Sequence, residues 1–164
     1  MAELTAKDVR RVLHYDPATG VFIWRVKTAK KVVVGAQAGG LNVAGYVVIS
    51  VLGQTEYAHR LAWLYMTGER PDIIDHADGN RSNNRWSNLR SASMSQNILN
   101  AKIAKNNTSG HKGVSWHKAA GKWSATVWID GVQKYLGLYE TVEDAGAAYE
   151  EAVKLRHPEF LRLK

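Results

Sequence analysis

The sequence predicts an α+β protein built in two parts, and three observations predict it. A strand, loop, strand, helix plan spans about 73–104, where IIDHADGNRSNNRWSNLRSASMSQN runs from an apolar strand through a turn into a capped helix. After residue 105 come three short strand-like runs and one amphipathic helix. Between them, ILNAKIAKNNTSG passes from helical spacing into a flexible Asn-Asn-Thr-Ser-Gly connector. The expected division is therefore 1–105 and 106–164.

The elements follow in order. Thr5-x-x-Asp8 caps a short helix whose apolar face is Leu4, Val9, Val12 and Leu13. Tyr15 to Gly20 is a turn, because Pro17 presets φ and Gly20 permits positive φ, and Val21-Phe22-Ile23-Trp24 then reads as a strand. Lys27, Lys30 and Lys31 lie in the loop that follows. Tyr46–Val51 and Thr55–Ala58 form a hairpin turning at Gly53-Gln54. HRLAWLYMT, from His59 to Thr67, has helical spacing and stops before Gly68 and Pro71. This first third carries no evident chemistry and reads as a scaffold and an arm that approaches a partner. Ile73–His76 is the next strand, and Trp86–Arg90 returns as its mate. Ser93-x-x-Gln96 is a capping-box pattern that starts a helix running towards Lys105.

In the second part, the strands fall at Gly113–Trp116, Lys122–Ile129 and Lys134–Tyr139, the last two joined by Asp130-Gly131, a strong hairpin signal. Thr141-x-x-Asp144 caps a helix with a stripe at Ala145, Ala148, Tyr149, Ala152 and Leu155. The expectation is a three-stranded antiparallel sheet with a helix on one face, the other face left open.

Composition narrows the classes. The chain has 164 residues, 45% hydrophobic, with six Trp and no Cys, so it can bury cores but has no disulfide, thiolate nucleophile or Cys-ligated zinc. No apolar run reaches membrane-spanning length, and the N-terminus lacks an export signal, so no membrane partner is expected and the cytoplasm is the expected location. The net charge is +7, which favours an anionic partner such as nucleic acid. It is unevenly spread: residues 1–105 carry 14 basic against 8 acidic side chains, whereas 140–164 carry four against six. The acidic excess is confined to this C-terminal segment, as if that face looks away from the partner.

Only the central stretch places a hard-metal ligand beside a base. Asp75 carboxylate and Asn97 amide oxygen suit one divalent cation, Mg²⁺ or Mn²⁺, and His76 can take a proton from water near neutral pH. Neighbours on an ideal strand point to opposite faces, so Asp75 and His76 converge only if the strand ends or bends at Asp78-Gly79. Arg60, Arg81, Arg85 and Arg90 are candidate phosphate clamps; His59 reads as a packing or hydrogen-bonding residue, and Trp63 and Trp86 as core.

HRLAW (59–63), IDH (74–76), DGNRSNNRWSNLR (78–90) and SQN (95–97) together resemble the HNH homing endonucleases of phages and introns, in the branch with Asn in place of the final His. The resemblance covers roughly residues 10–100, with spacings of 12 from His76 to Asn88 and 21 to Asn97. It implies a ββα-metal fold, His76 as general base, Asp75 and Asn97 as metal ligands, and Asn88 as the residue that pins the loop and orients His76.

The GV…GKW…YLGLY…AxxAY skeleton across about 106–160 resembles the plant APETALA-two/ethylene-response-factor DNA-binding domain. By that alignment Lys112, Ser115, His117, Thr126, Trp128, Gln133 and Tyr135 face double-stranded DNA, with Lys122 beside them. The plant domains carry arginines at several of these places, where Ser115 and Trp128 stand here. The two resemblances imply an endonuclease that cuts or nicks duplex DNA and is addressed by its C-terminal sheet. One site per chain implies nicking by a monomer, with a dimer or two encounters needed for paired cuts. The alternative is a DNA-binding regulator whose nuclease site has decayed.

Overall fold

The computed structural model describes residues 3–160. Its contacts group into two compact units, 1–91 and 92–164.

In the first unit, helix α1 (Ala6–Val12) starts at a reciprocal capping box. Asp8 N donates to Thr5 Oγ1, and the Asp8 carboxylate accepts from Thr5 N, so two otherwise orphaned backbone donors are satisfied. The chain then leaves the helix earlier than its apolar stripe suggests. Leu13–Asp16 is strand β1, paired antiparallel with β2 (Val21–Trp24). Leu13 and Tyr15 are buried from the strand rather than the helix, and Tyr15 packs on Phe22 at 4.8 Å between ring centroids. Strands β3 (Gly40–Leu41), β4 (Val47–Val51) and β5 (Gln54–Tyr57) form an antiparallel sheet in that order. Helix α2 (Ala58–Thr67) buries Leu61, Ala62 and Leu64 against Val9, Val12, Ile49 and Val51. It ends where Gly68 takes a left-handed φ of 81° and donates its N–H back to the Leu64 carbonyl. Strands β6 (Ile74–His76) and β7 (Leu89–Ser91) pair antiparallel, with Asp75 opposite Arg90. The expected strand from Trp86 is corrected here: Trp86–Asn88 is a 3₁₀ turn, because the Asn88 side chain is drawn into the preceding loop instead of a ladder.

In the second unit, helix α3 (Met94–Asn100) has the expected capping box at Ser93 and Gln96. It stops well short of Lys105, at an extended Ala101. Leu99 is buried with Val127, Ile129, Tyr149 and Val153, so the helix belongs to this unit's core and the expected joint near 105 lies inside the unit. Strands β8 (Val114–His117), β9 (Lys122–Ile129) and β10 (Val132–Tyr139) form an antiparallel sheet with β9 central. The Asp130-Gly131 turn has positive φ at both residues, as a tight hairpin demands. Helix α4 (Val142–Arg156) covers one sheet face through Ala145, Gly146, Tyr149 and Val153. Its stripe differs from the expected one at the end: Val153 is buried, and Leu155 is 81% exposed. Gly113 is required, since a Cβ there would stand 2.1 Å from the Thr126 carbonyl oxygen and 2.6 Å from the Tyr149 ring.

Candidate active site

Residues 74–91 make the site by folding an asparagine-rich loop back onto its own hairpin. Asp78 accepts from Asn80 N through Oδ1 and from Asn83 Nδ2 through Oδ2. Asn88 closes the loop by donating to Asp78 Oδ1 (3.0 Å) and to the Asn83 carbonyl (2.8 Å), while its own Oδ1 accepts from Asp78 N. These short side-chain bonds substitute for regular structure over the loop. Burial works to raise the Asp78 pKa, but the bonds from Asn83, Asn80 N and Asn88 outweigh it and hold the carboxyl below its usual value. Asn88 therefore staples the loop, though it does not itself hold the histidine ring.

Asn84 does reach that ring. His76 Nε2 lies 3.2 Å from Asn84 Oδ1, and both residues are buried. His76 packs edge-on against His59, with ring centroids 5.0 Å apart, and Tyr46 lies 6.1 Å away. Burial lowers the His76 pKa, against the opposing pull of the Asn84 bond and the charges of Asp75 and Asp78, so the ring is neutral at pH 7. His59 is pushed down to about 3, again mainly by burial, and its Nδ1 has no hydrogen-bond partner among the described residues. It is a packing wall for His76, in keeping with the sequence reading.

Asp75 is buried and faces across the hairpin, where Arg90 Nε and Nη2 donate to Asp75 Oδ2 at 2.8 and 2.7 Å. Arg90 is thus a partner of the candidate metal ligand rather than a phosphate clamp. Asn97 is half-buried on α3, and its neighbours fix that helix. Gly131 N donates to Ser95 Oγ (3.0 Å), and Gln96 Nε2 lies 3.4 Å from His157 Nδ1. Among the described residues no three His, Cys, Asp or Glu side chains gather as a metal cluster. A single Mg²⁺ needs less: it keeps several waters and takes one or two protein oxygens, a demand that an Asp carboxylate and an Asn amide fit chemically.

Several expected DNA contacts prove to have partners inside their own unit. Arg81 Nη1 donates to the Ala44 carbonyl, and its guanidinium stacks 4.9 Å over Tyr46, tying the loop to the β3–β4 turn. Arg60 Nη1 reaches the Asp72 carbonyl at 3.4 Å, and Arg85 is exposed. Lys112 Nζ donates to the Leu99 carbonyl at 2.6 Å, capping α3. In the sheet, the register puts Ser115, His117, Lys122, Thr126, Trp128, Gln133 and Tyr135 on one face, opposite the face that holds Val114, Ala125 and Val127. Trp128 is 50% and Tyr135 63% exposed. Three of this set also serve the fold. Lys122 pairs with Glu140 at 2.7 Å, His117 Nδ1 accepts from Ala120 N, and Thr126 reaches the Gly113 carbonyl at 3.5 Å.

The N-terminal hairpin has more to do with the site than its sequence suggests. Tyr15 OH donates to the Asn84 carbonyl at 2.7 Å, and Trp86 N donates to the Pro17 carbonyl at 2.9 Å. No local pattern marks this, because Tyr15 and Asn84 are 69 residues apart.

The profile of the HNH endonuclease family matches residues 56–99, the span from β5 through the asparagine loop to α3. Protein 3.8 of Escherichia phage T7 is 36% identical over 108 residues, covering 65% of this chain and 88% of that protein. The chain belongs to the HNH endonuclease family. A solved structure, "DNA binding and cleavage by the HNH homing endonuclease I-HmuI", aligns with 84% of this chain and 79% of that one, at 22% identity and a TM-score of 0.45. No helix among the described residues is long and apolar enough to cross a membrane.

Proposed function

We propose that this protein is a divalent-metal-dependent endonuclease that hydrolyses phosphodiester bonds in duplex DNA, nicking one strand per encounter. The observation that carries the reading is His76, neutral and held by a hydrogen bond, beside Asp75 on a hairpin whose loop is closed by Asn88. In this role His76 takes a proton from water, whose oxygen attacks phosphorus as the bond to the leaving sugar oxygen breaks. By the family resemblance, Asp75 and Asn97 are the residues that would hold Mg²⁺ or Mn²⁺. The cation, when bound, supplies positive charge where the leaving oxygen develops its own. Asn88 keeps the loop closed so that His76 does not drift, and Arg90 fixes the direction of the Asp75 carboxylate.

The open sheet face of the second unit addresses the enzyme, as its likeness to the ethylene-response-factor domain suggests. Trp128, Tyr135 and Gln133 offer stacking and amide contacts, and Ser115 and His117 extend the same face. That face carries little positive charge, since Lys122 is already paired with Glu140. Phosphate affinity therefore falls to exposed cations elsewhere, including Arg85, Lys27, Lys30 and Lys31, and should weaken with added salt. Supercoiled plasmid incubated with the protein tests the reading. Open circles with Mg²⁺ or Mn²⁺ and none with EDTA are expected. Tight duplex binding with no cleavage under any divalent cation would instead identify a DNA-binding regulator with a decayed site.

A further inference from the structure

We propose that Asn84 is a positioning residue, one that fixes His76 with its ring proton on Nε2 and so makes Nδ1 the nitrogen that receives the proton from water. The inference rests on the reading of His76 as the general base.

The direction of the hydrogen bond follows from the bonds around it. Asn84 Nδ2 donates to the Ser82 carbonyl at 3.2 Å, and a carbonyl oxygen can only accept. The amide nitrogen is thereby turned to Ser82, and the oxygen faces His76. Asn84 Oδ1 has no proton to give, so Nε2 must be the donor. A neutral imidazole carries one N–H, which leaves the lone pair on Nδ1.

Asn84 can impose this choice because its own place is fixed twice. Its carbonyl oxygen accepts from Tyr15 OH at 2.7 Å in a buried bond. Burial raises the Tyr15 pKa, so the hydroxyl keeps its proton at any working pH. Behind it, Gly20 comes so close that an added Cβ would lie 2.3 Å from the Asn84 carbonyl carbon and 2.4 Å from Arg85 N. Trp86 N, bonded to the Pro17 carbonyl, fastens the same segment from its other end. The β1–β2 hairpin is in this sense a brace for one amide group. Asn84 is 2% exposed, so water cannot readily replace it as the acceptor. Across the ring, His59 and Tyr46 pack against His76 and limit its rotation.

The anchors act on the backbone and the positioning acts through the side chain, so the two can be separated by mutation. Asn84→Leu keeps the Tyr15 bond to the backbone carbonyl and removes the acceptor from the ring. Asn84→Asp keeps an acceptor oxygen. In ¹⁵N-labelled full-length protein, the His76 ring signals are assigned by their loss in His76→Ala. Wild type should show a slowly exchanging proton on Nε2. Asn84→Leu should lose that protection and reduce kcat on the order of 10–100-fold, with DNA affinity unchanged. Asn84→Asp should restore the protected Nε2 proton and at least 10-fold of that loss. Tyr15→Phe should give a smaller loss in kcat with the same sign. A wild-type ring protonated on Nδ1 would overturn the inference, as would Asn84→Leu with both the Nε2 proton and kcat intact. The NMR result does not depend on cleavage: if His76→Ala still cuts DNA, the general-base reading falls while the ring bond remains measurable.

Discussion

Replacing His59 with Phe should make the first unit more resistant to acid. His59 is 8% exposed, and burial draws its pKa from 6.5 down to about 3. Between those values the unfolded chain holds a proton on this ring and the folded chain does not. Stability from this group is therefore complete above pH 6.5 and falls as pH drops towards 3. The slope is about 1.4 kcal/mol per pH unit, so at pH 5 the loss is about 2 kcal/mol relative to neutral pH. Phe cannot take up a proton, and it fits a wall already made of Tyr46, Tyr57 and the His76 ring. The exchange of the buried Ile49 and Val51 amides, followed from pH 7 to pH 5 and corrected for intrinsic rates, reports the opening free energy of this unit. Wild type should lose about 2 kcal/mol more than His59→Phe over that range, by the same linkage. His76, whose pKa is lowered too, leaves a residual slope in both proteins. Equal slopes in the two proteins would refute the burial argument.

Three further outcomes follow from the geometry. Gly20→Ala places a side chain at a φ of 76° and against the Asn84 backbone. It should cost at least about 2 kcal/mol in chemical denaturation and abolish nicking while DNA affinity persists. Arg90→Met removes the guanidinium paired with the buried Asp75 carboxylate; a loss of about 3 kcal/mol is expected by thermal melting, and Asp75→Asn in the same background should recover much of it. Trp128→Ala lies on the open sheet face, so it should weaken duplex binding by about 10-fold in fluorescence anisotropy, a change of about 1.4 kcal/mol, with melting unaltered.

What the sequence made legible was local chemistry. The two capping boxes, at Thr5 and Ser93, and the Asp130-Gly131 turn formed where their patterns lie, because each is a bond between residues at most three apart. Asp75, His76 and Asn88 were also visible as a spaced group, and all three are buried in one hairpin. What stayed hidden depends on distant backbone. Arg81 reads as a phosphate clamp and Lys112 as a residue facing DNA, and no local pattern shows that they also bond the carbonyls of Ala44 and Leu99. Asn84 is one of four asparagines between 80 and 88, and nothing in its neighbours distinguishes it from Asn83. Its role comes from a tyrosine on another hairpin. Strand β1 was masked by the turn it leads into, and β3 is only two residues long. Helix α3 follows a strand that belongs to the first unit, yet Leu99 commits it to the second core.

The proposed role of His76 is to remove a proton from water. Purified wild type and His76→Ala, compared on supercoiled plasmid with Mn²⁺ at equal DNA occupancy, test this directly. Wild type should convert the plasmid to open circles, and His76→Ala should do so about 10²–10⁴-fold more slowly. Equal rates for the two proteins would contradict the account.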